Sequence, residues 1–129
     1  MRTFLVDTNA FLIFLLADVP PQTKDVKSLF LEAKNRKIKL FVPSIVIFEI
    51  IFSLEKYYGL DKKTVGQKLD MILSSDYLDV ENREAFLLGL EIYSQEKISF
   101  TDCYLVARSR LKEYSLFTFD QKLRKLTAN

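Results

Sequence analysis

The sequence predicts an α/β domain with a mostly parallel central sheet of four or five strands and helices on both faces. Three observations lead there. Short β-rich runs alternate with helical patterns from one end of the chain to the other, which is how a parallel sheet comes to be covered by helices. The length of 129 residues suits one domain able to bury roughly two thirds of the surface its unfolded chain exposes. No linker, repeat or low-complexity segment interrupts it.

Apolar periodicity sets the elements in order. RTFLV (2–6) is a first strand ending at Asp7, and NAFLIFLLA (9–17) reads as a buried helix. Asp18-Val19-Pro20-Pro21 breaks the chain, with Pro21 allowed in a helix's first turn. An amphipathic helix then runs to about Lys37 with Val26, Leu29, Phe30 and Ala33 on one face. IKLFV (38–42) is a second strand, stopped by Pro43. SIVIFEIIFSLEKYYG (44–59) is a helix with Gly59 as C-cap. Asp61 caps a helix over DKKTVGQKLDMILSS (61–75), and YLDV (77–80) is a third strand. NREAFLLGLEIYSQEK (82–97) is helical, and Ser99 opens the helix FTDCYLVARSRLKEY (100–114). SLFTF (115–119) reads as a fourth strand, after which Asp120 opens a short helix, QKLRKL (121–126).

Composition excludes several chemistries. There are 19 basic and 17 acidic side chains for a formal charge of +2, one Cys, and no His or Trp. Without His there is no Ser-His-Asp or Cys-His machinery and no His-ligated metal. A single Cys forms no disulfide framework, thiolate zinc site or iron–sulfur cluster. Cys103, set among Tyr, Leu, Val and Ala, reads as a small core residue. Near the amino terminus, Asp7, Thr8 and Asn9 cut the apolar run and argue against a cleavable signal. No apolar stretch approaches the ~18–20 residues that span a bilayer. The expected location is cytoplasmic, with no membrane partner.

Four acids stand out. Asp7 and Asp120 end the first and fourth strands, the edge where open α/β sheets gather ligands. Asp102 lies in the first turn of the helix leading to the fourth strand. Glu49 is the only charge in IVIFEIIF. Each has a plainer explanation: Asp7 and Asp120 as helix N-caps, Asp102 in a near capping box with Ser99, Glu49 on a solvent-facing stripe or paired with a cation. As a set they say more. Two like charges about 4 Å apart repel by ~4 kcal/mol at an effective dielectric near 20, so a cluster of four needs a counter-charge. A divalent ion provides one. Oxygen-only ligands select Mg²⁺ or Mn²⁺ over Zn²⁺ or Cu²⁺, and open positions for water and phosphate point to metal-assisted phosphodiester hydrolysis.

On FLVDTNAF, PSIVIFEI, ISFTDCYLVARS and LFTFDQKL, taken in that order, the chain resembles the PIN-domain ribonucleases, and most closely the VapC-type toxins of prokaryotic toxin–antitoxin pairs. The resemblance runs the whole length and implies a single PIN-like domain over 1–129. It implies that Asp7, Glu49, Asp102 and Asp120 are the metal-binding acidic quartet. Thr8 and Asn9 match the polar residues after the first acid, Asn9 in a supporting role. Thr118 matches a small polar position near the site, and Cys103 the small residue after the third acid. The implied activity is Mg²⁺- or Mn²⁺-dependent endonucleolytic cleavage of single-stranded or loop RNA. Asp7 and Asp102 would anchor the first ion, with Glu49 and Asp120 completing the site partly through water. Because activated water is the nucleophile, the expected products carry a 5′-phosphate and a 3′-hydroxyl.

The basic residues are uneven. Lys24, Lys27, Lys34, Arg36, Lys37 and Lys39 fit a solvated helix face. Arg108, Arg110, Lys112, Lys122, Arg124 and Lys125 flank the acids in sequence; Arg108, Arg110, Lys122 and Arg124 are the chosen candidates for RNA contacts. The resemblance further implies a homodimer neutralised by a small antitoxin. IFLLA (13–17) and IIFSLEKYY (50–58) fit such contacts or plain core equally, with Tyr57-Tyr58 the more interface-like. Haloacid-dehalogenase-like phosphatases need a second Asp where Asn9 stands, and receiver domains need an acidic pair at the first strand. The alternative reading is a non-catalytic PIN-fold module that binds RNA or protein.

Overall fold

The computed structural model describes residues 1–17 and 20–127. Asp18 and Val19 of the expected break lie outside the described residues. The chain divides into two compact units, Met1–Glu81 and Asn82–Asn129.

The first unit contains β1 (Thr3–Leu5), α1 (Thr8–Leu16), α2 (Pro20–Lys34), β2 (Lys39–Val42), α3 (Ser44–Phe52), α4 (Lys62–Leu73) and β3 (Leu78–Val80). All three strands are parallel, in the order β1-β2-β3, with Phe4 opposite Leu40 and Leu40 opposite Leu78. Parallel neighbours require a crossover, which α1 with α2 and α3 with α4 provide. Leu40 and Val42 on β2 are buried, as are Phe11 on α1, Ile47 and Ile50 on α3, and Val65 and Leu69 on α4. Phe30 of α2 meets the rings of Phe11 and Phe14 at 5.7 and 4.8 Å.

Local signals hold well here. Asp61 Oδ1 accepts from Thr64 N–H at 2.8 Å and caps α4, and its bonds to Thr64 hold the carboxyl below the usual aspartate range. The helix expected over 44–59 is not uniform. After Phe52 it widens into a π-helical turn, Ser53–Tyr57, closed by Tyr58 N–H donating to Ser53 O. Gly59 follows at φ +64°, the left-handed conformation for which a glycine is suited.

The second unit contains α5 (Arg83–Gln95), α6 (Phe100–Leu111) and α7 (Gln121–Thr127). Phe86 of α5 packs against Phe100 and Tyr104 of α6, with centroids 6.1 and 4.7 Å away. Cys103 is fully buried, as its apolar neighbours suggested.

Two expectations change. The described sheet has three strands, not four or five. Residues 115–119 form an irregular segment rather than a fourth strand. A β-rich run becomes a strand only when it finds a ladder and a surface to cover; here Phe117 and Phe119 are 86% and 81% exposed and pack edge-on against each other, 5.4 Å apart. No helix among the described residues is long and apolar enough to cross a membrane.

Candidate active site

In the first unit the acids sit where chain direction puts them. β1 ends at Leu5 and α1 begins at Thr8, so Asp7 occupies the entry to the helix. Its Oδ1 accepts from Ala10 N–H at 3.0 Å, making it the N-cap of α1. Asn9 is exposed on the same turn, and among the described residues the bond that holds Asp7 comes from Ala10 rather than from Asn9.

Glu49 arrives from another direction. In α3, Val46, Ile47, Ile50 and Ile51 are buried, which leaves Glu49 on the outward stripe with Ile45 and Phe52. Thr8 Oγ1 donates to Glu49 Oε2 at 3.0 Å, across a sequence separation of 41 residues. One hydrogen bond therefore ties the Glu49 carboxylate to the helix entry that Asp7 caps. Asp7 and Glu49 are both exposed, and each has one carboxylate oxygen engaged by a donor.

The direction of α3 is itself held by a residue that sequence reasoning missed. Pro43 gives α3 no side-chain cap. Glu81, just beyond β3, accepts from Ser44 N–H at 2.9 Å through Oε1, and its own N–H donates to Val42 O at 3.0 Å. The bonds to Ser44 hold the Glu81 carboxyl below the usual glutamate range. The signal that singled out Asp7, an acid at the carboxyl end of a strand, applied to Glu81 as well.

In the second unit Asp102 is half-buried in the first turn of α6, where Ser99 Oγ accepts its N–H at 3.2 Å. Asp120 precedes α7; its Oδ1 accepts from Leu123 N–H at 3.0 Å and its N–H donates to Thr118 Oγ1 at 3.1 Å. Thr118 thus shapes the turn that carries Asp120. Among the described residues no group of three or more His, Cys, Asp or Glu side chains lies together so as to hold a metal ion. What the structure brings together is Glu49 with Thr8, the residue that follows Asp7. The donor set still fits a hard cation, since Mg²⁺ is commonly held by one or two carboxylates with waters and phosphate oxygens filling the remaining positions.

The basic candidates take different places. Arg124 Nε donates to Thr118 O at 2.7 Å, and Arg110 Nη2 donates to Leu126 O at 2.8 Å; both line a cavity of about 470 Å³. Lys122 is exposed on α7. Arg108 Nη1 donates to Tyr104 Oη at 3.0 Å, and that bond keeps its pKa above the ordinary arginine value.

The PIN domain family model matches residues 4–129. The chain belongs to the PIN domain family. This PIN domain is also 26% identical, over 125 residues, to the VapC ribonuclease of Aquifex aeolicus (strain VF5), covering 95% of this chain and 90% of that protein. No solved structure matches it.

Proposed function

We propose that this PIN-domain protein is a metal-dependent endoribonuclease of the VapC type, the toxin of a toxin–antitoxin pair. The observation that carries the reading is the Thr8–Glu49 hydrogen bond. It brings the one charge of an otherwise apolar helix to the helix entry capped by Asp7, in a chain similar to a VapC ribonuclease. The family match runs across both compact units, which supports reading 1–129 as one PIN domain.

Asp7, Glu49, Asp102 and Asp120 are the proposed metal-holding and catalytic acids, with Mg²⁺ or Mn²⁺ as the ion. When bound, the ion supplies a Lewis acid for the phosphodiester and a water of lowered pKa. The chain supplies position and charge: Asp7 fixed by its cap, Glu49 fixed by Thr8, Asp120 fixed by Thr118. Nothing in the chain offers an imidazole as general base. With that ion bound, water rather than the ribose 2′-hydroxyl would be the nucleophile, and the cut would leave a 5′-phosphate and a 3′-hydroxyl. Arg108, Arg110, Lys122 and Arg124 are proposed to meet the RNA backbone. The protein acts in the cytoplasm as a homodimer restrained by a small antitoxin. Exposed Tyr57, its ring edge-on to Tyr58 at 5.0 Å, offers the kind of aromatic anchor that such contacts use.

The test is incubation of wild type and Asp7→Asn with total RNA, with and without EDTA, followed by mapping of the ends. Cleavage by wild type alone, abolished by EDTA and leaving 5′-phosphates, is expected. Ends bearing a 2′,3′-cyclic phosphate, or equal cleavage by Asp7→Asn, would overturn the proposal.

A further inference from the structure

Unpaired RNA bases are held largely by stacking on aromatic rings, and the first unit has few rings free for that. Phe11 and Phe30 are buried, and Phe14 packs on Phe30. Three of its rings are exposed: Phe52, at 64%, Tyr57 and Tyr58. The two tyrosines lie edge-on to each other. Phe52 has no ring or cation partner among the described residues. It closes α3, three residues after Glu49. Helix neighbours at that spacing have Cβ atoms about 5–6 Å apart. Long helical side chains lean towards the N-terminus, which places the ring over the turn that carries Glu49. Exposed Ile45 flanks the acid on its other side, one turn earlier, and Thr8 steers the carboxylate through Oε2.

Singly exposed apolar side chains are ordinary on a protein surface, but this stripe restricts what can cover it. Anything that buries Ile45 and Phe52 meets Glu49 between them. The apolar core of a protein partner would have to desolvate that carboxylate, and charged residues are depleted from interface cores for this reason. A nucleotide differs, because its flat apolar base is joined to a phosphate that carries divalent cations with it. One such group suits both the ring and the acid.

We propose that Phe52 is a stacking platform for a base of the RNA substrate, the base whose phosphate lies on the Glu49 side of the ring. The inference rests on the ribonuclease reading and names a residue that positions the strand for it. Every base has a π face, so the platform accepts all four. It fixes where the strand is held, not which sequence is cut.

The experiment compares two probes on the full chain, with Ca²⁺ as the divalent ion: a short single-stranded RNA and an abasic ribose-phosphate oligomer of equal length. The chain contains no Trp, so Phe52→Trp keeps an aromatic face and turns it into a single fluorescent reporter. The RNA is expected to quench that emission saturably, and the abasic oligomer to leave it unchanged. Phe52→Leu keeps apolar bulk at an exposed helical position, so the fold should be retained. It is expected to bind the RNA about fivefold more weakly than wild type, the low end for loss of one stacked base. On the abasic oligomer the two should bind alike, since the coupled partner is missing. Equal RNA binding by wild type and Phe52→Leu, or the same loss on the abasic oligomer, overturns the platform. So does a shift of Phe52→Leu from dimer to monomer in sedimentation with RNA binding retained, which assigns the stripe to a second copy of the chain. The two readings fail separately. If wild type cuts RNA but binds it no better than Phe52→Leu, the platform alone is lost; if wild type binds no RNA, both are.

Discussion

Glu49 is held by different means from the three aspartates. Glu49 is fixed across 41 residues by Thr8, at the helix entry capped by Asp7. Asp102 and Asp120 are fixed by neighbours within three residues, Ser99 for one and Thr118 with Leu123 for the other. A local cap needs only a helix to form. A bond between distant segments needs the sheet, the crossover helices and the Glu81 bridge to be right. The position of Glu49 is thus a property of tertiary packing, and those of Asp7, Asp102 and Asp120 are properties of short sequence.

The largest effect that bears on this contrast comes from the acid itself. Asp7→Asn should lower cleavage by about 10²–10³-fold, the scale of several kcal/mol of lost metal-ion catalysis. Thermal stability should hardly move, because Asn caps a helix as well as Asp does. Next is Thr8→Val, which keeps the side chain's shape and removes the donor to Glu49. Loss of such an orienting partner costs about 10–100-fold in metal affinity or activity, whereas Thr118→Val, which disturbs only a local turn, should cost less than about threefold. RNA cleavage rates under Mg²⁺ titration measure both, and equal losses would erase the distinction.

Much of the first unit was legible in the sequence, because its signals are local. Asp7 and Asp61 cap the helices they precede, as Ser99 does in the second unit, and Gly59 sits at positive φ after the widened turn. Asp7's place after a strand and Asp102's in a first turn followed from the same grammar, whereas Asp120 follows an irregular segment rather than the expected fourth strand. What was illegible depends on partners far along the chain. Nothing near Glu81 announces that it will serve Ser44, 37 residues away. SLFTF has the composition of a strand, but composition supplies no ladder, and Phe117 and Phe119 remain exposed. The π-helical turn at Ser53–Tyr57 likewise inserts a change of phase that a 3.6-residue period does not foresee.

Smaller effects sharpen the same contrast through stability. Ser99→Ala removes the side-chain cap of α6 and should cost about 1 kcal/mol in urea unfolding. Glu81→Gln tests the long-range device by pH. Bonds from Ser44 depress the Glu81 pKa in the folded protein, so the folded state binds its proton less readily than the unfolded one. The associated stability is fully present above the ordinary glutamate range and is lost as pH falls through the depressed value. The urea midpoint of wild type should exceed that of Glu81→Gln at pH 7, and the gap should close on acidification towards pH 3. A gap constant with pH would show that the carboxylate charge plays no part.

The hydrogen bonds on Asp7 and Glu49 also bear on which cation suits them. With Oδ1 of Asp7 accepting from Ala10 and Oε2 of Glu49 accepting from Thr8, each carboxylate keeps its other oxygen without a donor among the described residues. Magnesium's compact octahedron, with bonds of about 2.1 Å, accepts such monodentate oxygens readily, while the roomier shell of calcium often recruits both oxygens of one group. Under the proposed metal-dependent reading, a threonine hydroxyl bonded to one of these oxygens would weigh against two-oxygen chelation and in favour of the smaller ion.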